Sequence, residues 1–322
     1  MQPIIHVENL VKRYKRAQVN AVDDISFDVA PGEFFVLLGP NGAGKTTTIS
    51  ILTTTLAPTS GQVLIAGHDV ALEASAVRQS VGIIFQNPSL DLNLTAEENV
   101  RFHAILYGLY PFAPAFALMP RAYQTQIHRL AEVLGIEKDI FKPIKTFSGG
   151  MKRKLEIIRS LIHRPRVLFL DEPTSGLDPA SRRSLWEYLA QVRAENQTTI
   201  FLTTHYLEET EQADRICILS QGGLVVNGTP VQVKRHLVEN YVLIDAADRH
   251  VLRSELAQRS IQFTETPLFK INMNGGSAHQ LLKAIDTPLT VVQVHTPTVE
   301  DAYLAILEQE SSQTGEGNGR IS

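Results

Sequence analysis

Phe34-Phe-Val-Leu-Leu38 runs directly into Gly39-Pro-Asn-Gly-Ala-Gly44-Lys45-Thr46. Five apolar residues without polar alternation read as a strand buried on both faces of a parallel sheet. The eight that follow fit G-x-x-x-x-G-K-[ST] at the opening of a helix near Lys45. Glycines at this spacing let successive backbone N–H groups turn inward around an anion, and the start of a helix adds its positive dipole end. In that setting Lys45 neutralises β- and γ-phosphates, and the Thr46 hydroxyl ligates Mg²⁺. The strand before the loop favours phosphate binding over a plain glycine-rich turn.

Two more runs share the character of the first: Val167–Leu170 and Thr199–Leu202. Each ends in polar residues, Asp171-Glu172-Pro173 and Thr203-Thr204-His205. Ligands of open parallel sheets bind beyond the carboxyl ends of the strands, so three separated motifs are expected at one edge. An Asp at the end of a buried strand is placed to hold Mg²⁺ through water, and Glu172 beside it to polarise an attacking water. Beside a phosphate loop this outweighs a pair of helix-capping carboxylates.

Outward from this core, Ile4–Tyr14 and Val19–Val29 read as antiparallel strands, and Ala96–Ile136 as mainly helical. Ala104–Pro120 carries no charge, but Gly108, Pro111, Pro114 and Pro120 break it short of a membrane span of ~20 apolar residues. It reads as an apolar surface loop. After Pro230 the pattern changes to strands at Tyr241–Asp245, Phe269–Met273 and Val291–His295, with helices at Arg249–Arg259, Ser277–Ile285 and Val299–Glu308. The final SSQTGEGNGRIS is polar and glycine-rich, the composition of a disordered tail.

The 322 residues are 43% hydrophobic and 20% charged, with a net charge of -4, which fits a globular chain with no global attraction to polyanions. A lone cysteine, Cys217, excludes a disulfide framework; in its apolar run it reads as a small buried hydrophobe in a reducing cytosol. The first residues lack the apolar stretch of a signal peptide.

Phe147-Ser148-Gly149-Gly150-Met151, ahead of a basic helix, offers a second anion site from a hydroxyl, two glycine amides and a helix start. Lys152, Arg153 and Lys154 after it read as a solvated helix face and not a nucleic-acid patch. With Gly39–Thr46 and Asp171-Glu172 around it, this stretch resembles the LSGGQ signature of ATP-binding-cassette (ABC) ATPases, with Phe for Leu and Met for Gln. The resemblance spans residues 4 to about 235. It implies an α/β, P-loop NTPase fold with a mostly parallel core sheet, an antiparallel β subdomain and a helical subdomain. Thr296-Pro-Thr-Val-Glu-Asp-Ala-Tyr-Leu304 is similar to the ending of the multidrug and daunorubicin-resistance exporter branch, implying a small C-terminal α+β domain. The expected layout is an ATPase domain at 1–235, the small domain at 236–310 and a tail at 311–322.

The family carries over further roles. Gly39, Pro40, Asn41, Gly42, Ala43, Gly44, Lys45, Thr46 and Thr47 would hold ATP, with Tyr14 stacked on adenine. Ser148, Gly149, Gly150 and Asp178 would complete the site from a second copy. Lys45, Gln86, Glu172 and His205 would carry catalysis, and Thr46, Gln86 and Asp171 would bind Mg²⁺. The resemblance implies a homodimer on the cytoplasmic inner face of the cell membrane beneath a separate polytopic permease, with no nucleic-acid partner. The rivals are a cassette acting on ribosomes or another non-membrane partner, and a module that binds ATP without turnover; the intact Asp171, Glu172 and His205 argue against the latter.

Overall fold

The computed structural model describes residues 2–85, 89–174, 177–237, 240–265, 267–273, 277–295, 298–301 and 303–304. Contacts divide the chain into two compact units, residues 1–227 and 228–322. In chain order the first holds β1 (Ile5–Lys12), β2 (Val22–Val29), β3 (Phe34–Leu38), α1 (Lys45–Leu52), β4 (Ser60–Ile65), β5 (His68–Asp69), α2 (Ala74–Ser80) and β6 (Val81–Ile84). It continues with α3 (Ala96–Leu106), α4 (Arg121–Val133), α5 (Gly149–Leu161), β7 (Val167–Asp171), α6 (Pro179–Asn196), β8 (Thr199–Thr204), β9 (Arg215–Ser220) and β10 (Gly223–Gly228).

Two sheets form the first unit. One is antiparallel, in the order β2-β1-β4-β5, and the other is six-stranded, in the order β10-β9-β3-β8-β7-β6. β3 pairs in parallel with β8 and β9, and β7 in parallel with β8 and β6. Every residue of β3, β7 and β8 is buried, as expected of strands covered on both faces. An aromatic seam crosses from sheet to sheet: Phe27 of β2 stacks on Phe35 at 5.3 Å, Phe35 on Phe201 at 5.1 Å, and Phe201 meets Phe169 at 5.3 Å. Each such pair adds about 1 kcal/mol beyond its buried area. Cys217, on β9, is fully buried in the same core.

The helices start where their sequences place caps. Thr95 and Glu98 form a reciprocal capping box for α3, Ser148 caps α5 by accepting from Met151 N, and Asp178 caps α6 ahead of Pro179. The uncharged Ala104–Pro120 segment is more anchored than a surface loop. Its first residues finish α3, and Tyr107 lies against His103 and His163 at 4.3 and 4.7 Å. Ala113 and Met119 are buried, and Arg101 Nη1 donates to the Ala113 carbonyl at 2.9 Å. Leu106, Phe112 and Leu118 remain exposed.

The second unit contains α7 (Pro230–Leu237), β11 (Tyr241–Ala246), α8 (Arg249–Gln258), β12 (Thr264–Glu265), β13 (Phe269–Asn272), α9 (Ala278–Lys283) and β14 (Leu289–His295). Its sheet, β12-β13-β11-β14, is antiparallel throughout. Val242, Ile244, Leu252, Leu256, Phe269 and Ile271 make its own core. Glu255 fastens the turn after α9 by accepting from the backbone N–H groups of Asp286 and Thr287 at 2.7 and 2.9 Å. These bonds, the Thr287 hydroxyl and Arg259 hold its carboxyl down at about 2. The described part of the expected Val299–Glu308 helix, residues 299–301 and 303–304, is helical, and the 311–322 tail lies outside the described residues.

Candidate functional site

β8 lies between β3 and β7, in register, with Leu38 opposite Thr204 and Asp171 opposite Thr203. This pairing puts the loop after β3, the carboxylates after β7 and the histidine after β8 at one edge. A cleft of about 460 Å³ opens there, lined by Asn41, Gly42, Gly44, Lys45, Thr46, Thr47, Glu172, His205, Tyr206 and Ala21.

The glycine loop is shaped by local sterics. Gly42 and Gly44 have φ of 85° and 104°, conformations that side-chain-bearing residues rarely adopt. A Cβ on Gly44 would sit 2.5 Å from the Ala21 carbonyl oxygen, so backbone packing also requires glycine there. Ala43 is buried, and its N–H donates to the Pro40 carbonyl at 3.2 Å, closing the turn. Lys45 Nζ donates to the carbonyls of Gly39 and Pro40 at 2.7 and 3.0 Å. Burial lowers its pKa, against the opposing pull of Glu172 and Asp171.

The two acids differ in setting. Asp171 is buried, accepts a short hydrogen bond from the Thr203 hydroxyl, and has its pKa raised chiefly by burial. Glu172 has φ of 46°, a left-handed conformation uncommon for a residue with a side chain. Its N–H donates to the Thr203 carbonyl at 3.0 Å, and its Oε1 lies 3.0 Å from His205 Nδ1. His205 in turn packs against Tyr206 at 4.1 Å, and the Arg182 guanidinium lies 5.2 Å from the Tyr206 ring centre. Ala21 and Tyr206 line the cleft without a signal in the sequence, and Thr203 was legible only as part of the polar Thr203–His205 strand end, not as the partner of Asp171.

Tyr14 is half-exposed, and its hydroxyl lies 3.2 Å from Thr47 Oγ1, beside the loop. Ser148, Gly149, Gly150 and Asp178 do not line the cleft of their own chain. Ser148 and Asp178 instead cap α5 and α6, and no neighbouring atom lies within 4 Å of a Cβ built on Gly149. Gln86 lies outside the described residues, as do Ser175 and Gly176 ahead of Asp178, and Thr296 and Pro297 of the C-terminal motif.

Arg153 corrects the expectation of a solvated basic face. Lys152 and Lys154 are half-buried, but Arg153 is only 5% exposed, turned inward and bonded to Glu156 Oε2 at 3.0 Å. In the triplet's pattern it faces the core, where a lone guanidinium needs a buried acid, and Glu156 one turn on supplies it.

Chemically, this edge of the sheet combines an anion cradle, a buried carboxylate, and a second carboxylate oriented by an imidazole. Among the described residues no three His, Cys, Asp or Glu gather into a cage for a resident metal. The hard oxygens of Asp171 and Thr46 instead fit a cation that arrives with its phosphate ligands. This is the equipment for hydrolysing a phosphoanhydride.

Comparison with known proteins gives the same reading. The model of the ABC transporter family matches residues 22–175. The Nod factor export ATP-binding protein I of Burkholderia pseudomallei (strain K96243) is 37% identical over 311 residues, covering 95% of this chain and 97% of that protein. YbhF of Escherichia coli (strain K12), named a probable multidrug ABC transporter ATP-binding protein, is 38% identical over 233 residues, 72% of this chain. The chain spans only 38% of the length of YbhF. Among solved structures, the dimeric ATP-binding cassette MJ0796, in a post-hydrolysis state bound to ADP and Pi, superposes with a TM-score of 0.62 at 26% identity, covering 70% of this chain and 98% of that one.

Proposed function

Since the chain belongs to the ABC transporter family as an ATP-binding, ATP-hydrolysing subunit, we propose that it works as a homodimer powering export through a separate membrane permease. The observation that carries the dimer is the split of the site. The phosphate loop, Glu172 and His205 share one cleft, with Asp171 buried beside it at the end of β7, while Ser148, Gly149 and Gly150 would offer a second anion site elsewhere on the same chain. Two copies related by a twofold axis would each offer their signature to the other's cleft. The solved dimeric cassette bound to ADP and Pi supports this arrangement.

Within each cleft the backbone amides of Gly39–Thr46 and the Lys45 ammonium would hold the β- and γ-phosphates, with Tyr14 against the adenine. Thr46 and Asp171 would hold Mg²⁺, with Gln86 as a further ligand. The ion would supply positive charge to the phosphate oxygens. Glu172 would accept a proton from water as the water oxygen bonds to the γ-phosphorus; the β–γ bridging P–O bond breaks and its electrons leave with ADP. His205 keeps the Glu172 carboxylate aimed and reaches the γ-phosphate.

Export is favoured by the full-length match to a Nod factor export subunit and by the multidrug name of YbhF. None of the described helices is long and apolar enough to cross a membrane. The translocation path is assigned to a partner, with residues 86–94, of which 86–88 lie outside the described residues, and the α3 region as the contact, and the chain to the inner membrane face. The small C-terminal domain is assigned to residues 236–310, with 311–322 as its tail.

The test is capture of tagged Glu172→Gln protein, with ATP, from gently solubilised native membranes, followed by mass spectrometry. A polytopic protein recovered in comparable amount is the expected result. Ribosomal proteins in its place would reinstate the ribosome-acting reading.

A further inference from the structure

The inward face of α5 carries charges where apolar residues would ordinarily pack. Arg153, Glu156 and Arg159 follow one another every three residues, and the first two are 5% and 1% exposed. The Arg153 guanidinium reaches three backbone carbonyls besides Glu156. Nε donates to Pro173 at 2.9 Å, Nη2 to Asp171 at 3.3 Å, and Nη1 to Phe85 through a short bond. Glu156 Oε1 accepts from Ser89 N at 3.0 Å, and Arg159 donates to the Ser89 carbonyl and hydroxyl, at 2.6 Å each.

Two brackets result. Asp171 and Pro173 flank Glu172, the residue with the left-handed φ of 46°. Phe85 and Ser89 flank residues 86–88. Strained backbone persists only where its surroundings over-determine it. A planar guanidinium with fixed N–H directions can grip several carbonyls at once, as an ammonium cannot. Taking a charge pair into the interior for packing alone is unfavourable compared with apolar residues of similar size. The grip of Arg153 on the carbonyls of the two residues that flank Glu172 therefore calls for a role in setting that residue.

We propose that Arg153 is a positioning residue for hydrolysis: it fixes the turn that aims the Glu172 carboxylate and, with Glu156, ties that aim to the chain on either side of residues 86–88. Arg153 itself lines no part of the cleft. A shift of Phe85 and Ser89 would be passed to the carbonyls around Glu172 through one side chain and its counter-ion. The proposal rests on Glu172 being the base.

The test uses the full chain and measures ATPase kcat and KM for Arg153→Lys, each time in the native and the Glu172→Gln backgrounds. The paired Arg153→Met, Glu156→Met variant, which removes both partners of the ion pair together and leaves Arg159 bonded to Ser89, is measured in parallel, with melting temperature as the folding control. Misplacing a catalytic group by about 1 Å costs on the order of a hundredfold in rate. The expected result is a kcat lower by about 10- to 100-fold in both variants, with KM within about threefold. In the Glu172→Gln background the same changes should cost less than about twofold, because the group being aimed is already gone. Equal losses in both backgrounds, a change in KM alone, or an unchanged kcat would overturn the proposal while leaving Glu172 as the base. Normal turnover by Glu172→Gln alone would remove the base reading and this proposal together.

Discussion

At single residues the site divides into groups that act and groups that shape. Glu172→Gln keeps the side chain's size and its neighbour His205, so nucleotide binding should persist while hydrolysis falls by at least about a hundredfold. Equilibrium nucleotide binding and phosphate release measure the two separately, and normal release would remove Glu172 from the base role. Gly44 is a shaping residue. At φ 104°, with the Ala21 carbonyl 2.5 Å from any Cβ, Gly44→Ala forces the loop to move. The expected cost is about 1–3 kcal/mol of stability, read by denaturant unfolding, together with weakened ATP binding. A variant with native stability and affinity would contradict this geometry.

Among elements, the packing of α3 on the end of α5 makes a prediction about acid. His103 and His163, with Tyr107 against both rings, join these helices. Burial, reinforced by Arg159 and His163, pushes the His103 pKa down to about 3. The folded state thus binds fewer protons than the unfolded chain between pH 6.5 and about 3. Stability is therefore complete above pH 6.5 and declines as pH falls through that window, by up to about 1.4 kcal/mol per pH unit for this one group. His103→Phe keeps a ring against Tyr107 and should flatten that decline in urea melts at pH 7, 6 and 5; an unchanged slope would discard the assignment. Elements also show what was legible in advance. β3, β7 and β8 could be read to within two residues, because strands covered on both faces are continuously apolar. The two-residue strands β5 and β12 have no periodicity to read. The Gly39–Thr46 loop was legible because its chemistry is local. The inward turn of Arg153 was not: the backbone carbonyls it grips lie 18 to 68 positions away along the chain, and its neighbours are ordinary half-buried lysines. No residue type announces the left-handed turn at Glu172.

For the molecule as a whole, the proposed division of each site between two copies gives a mixing experiment. Ser148→Arg should abolish hydrolysis while sparing ATP binding to monomer, and Lys45→Ala should lose binding. In a mixed dimer one cleft has an intact loop facing an intact signature, so combining the two inactive proteins should restore up to about a quarter of native activity. No recovery from folded proteins would refute the shared site. The two units should also yield to acid at different points. Glu255, held down at about 2, gives the second unit stability that is complete above the ordinary glutamate range and is lost as pH falls toward 2. Hydrogen exchange across residues 284–289 should report this loss, and Glu255→Gln should abolish its pH dependence. Last, the chain's single thiol lies sealed within the parallel sheet, and burial raises its pKa further out of reach of reagents. To a maleimide spin label the native protein is thus already a blank. One cysteine introduced on the surface would be labelled alone, and a copy-to-copy distance could be followed through ATP turnover without first rebuilding the core.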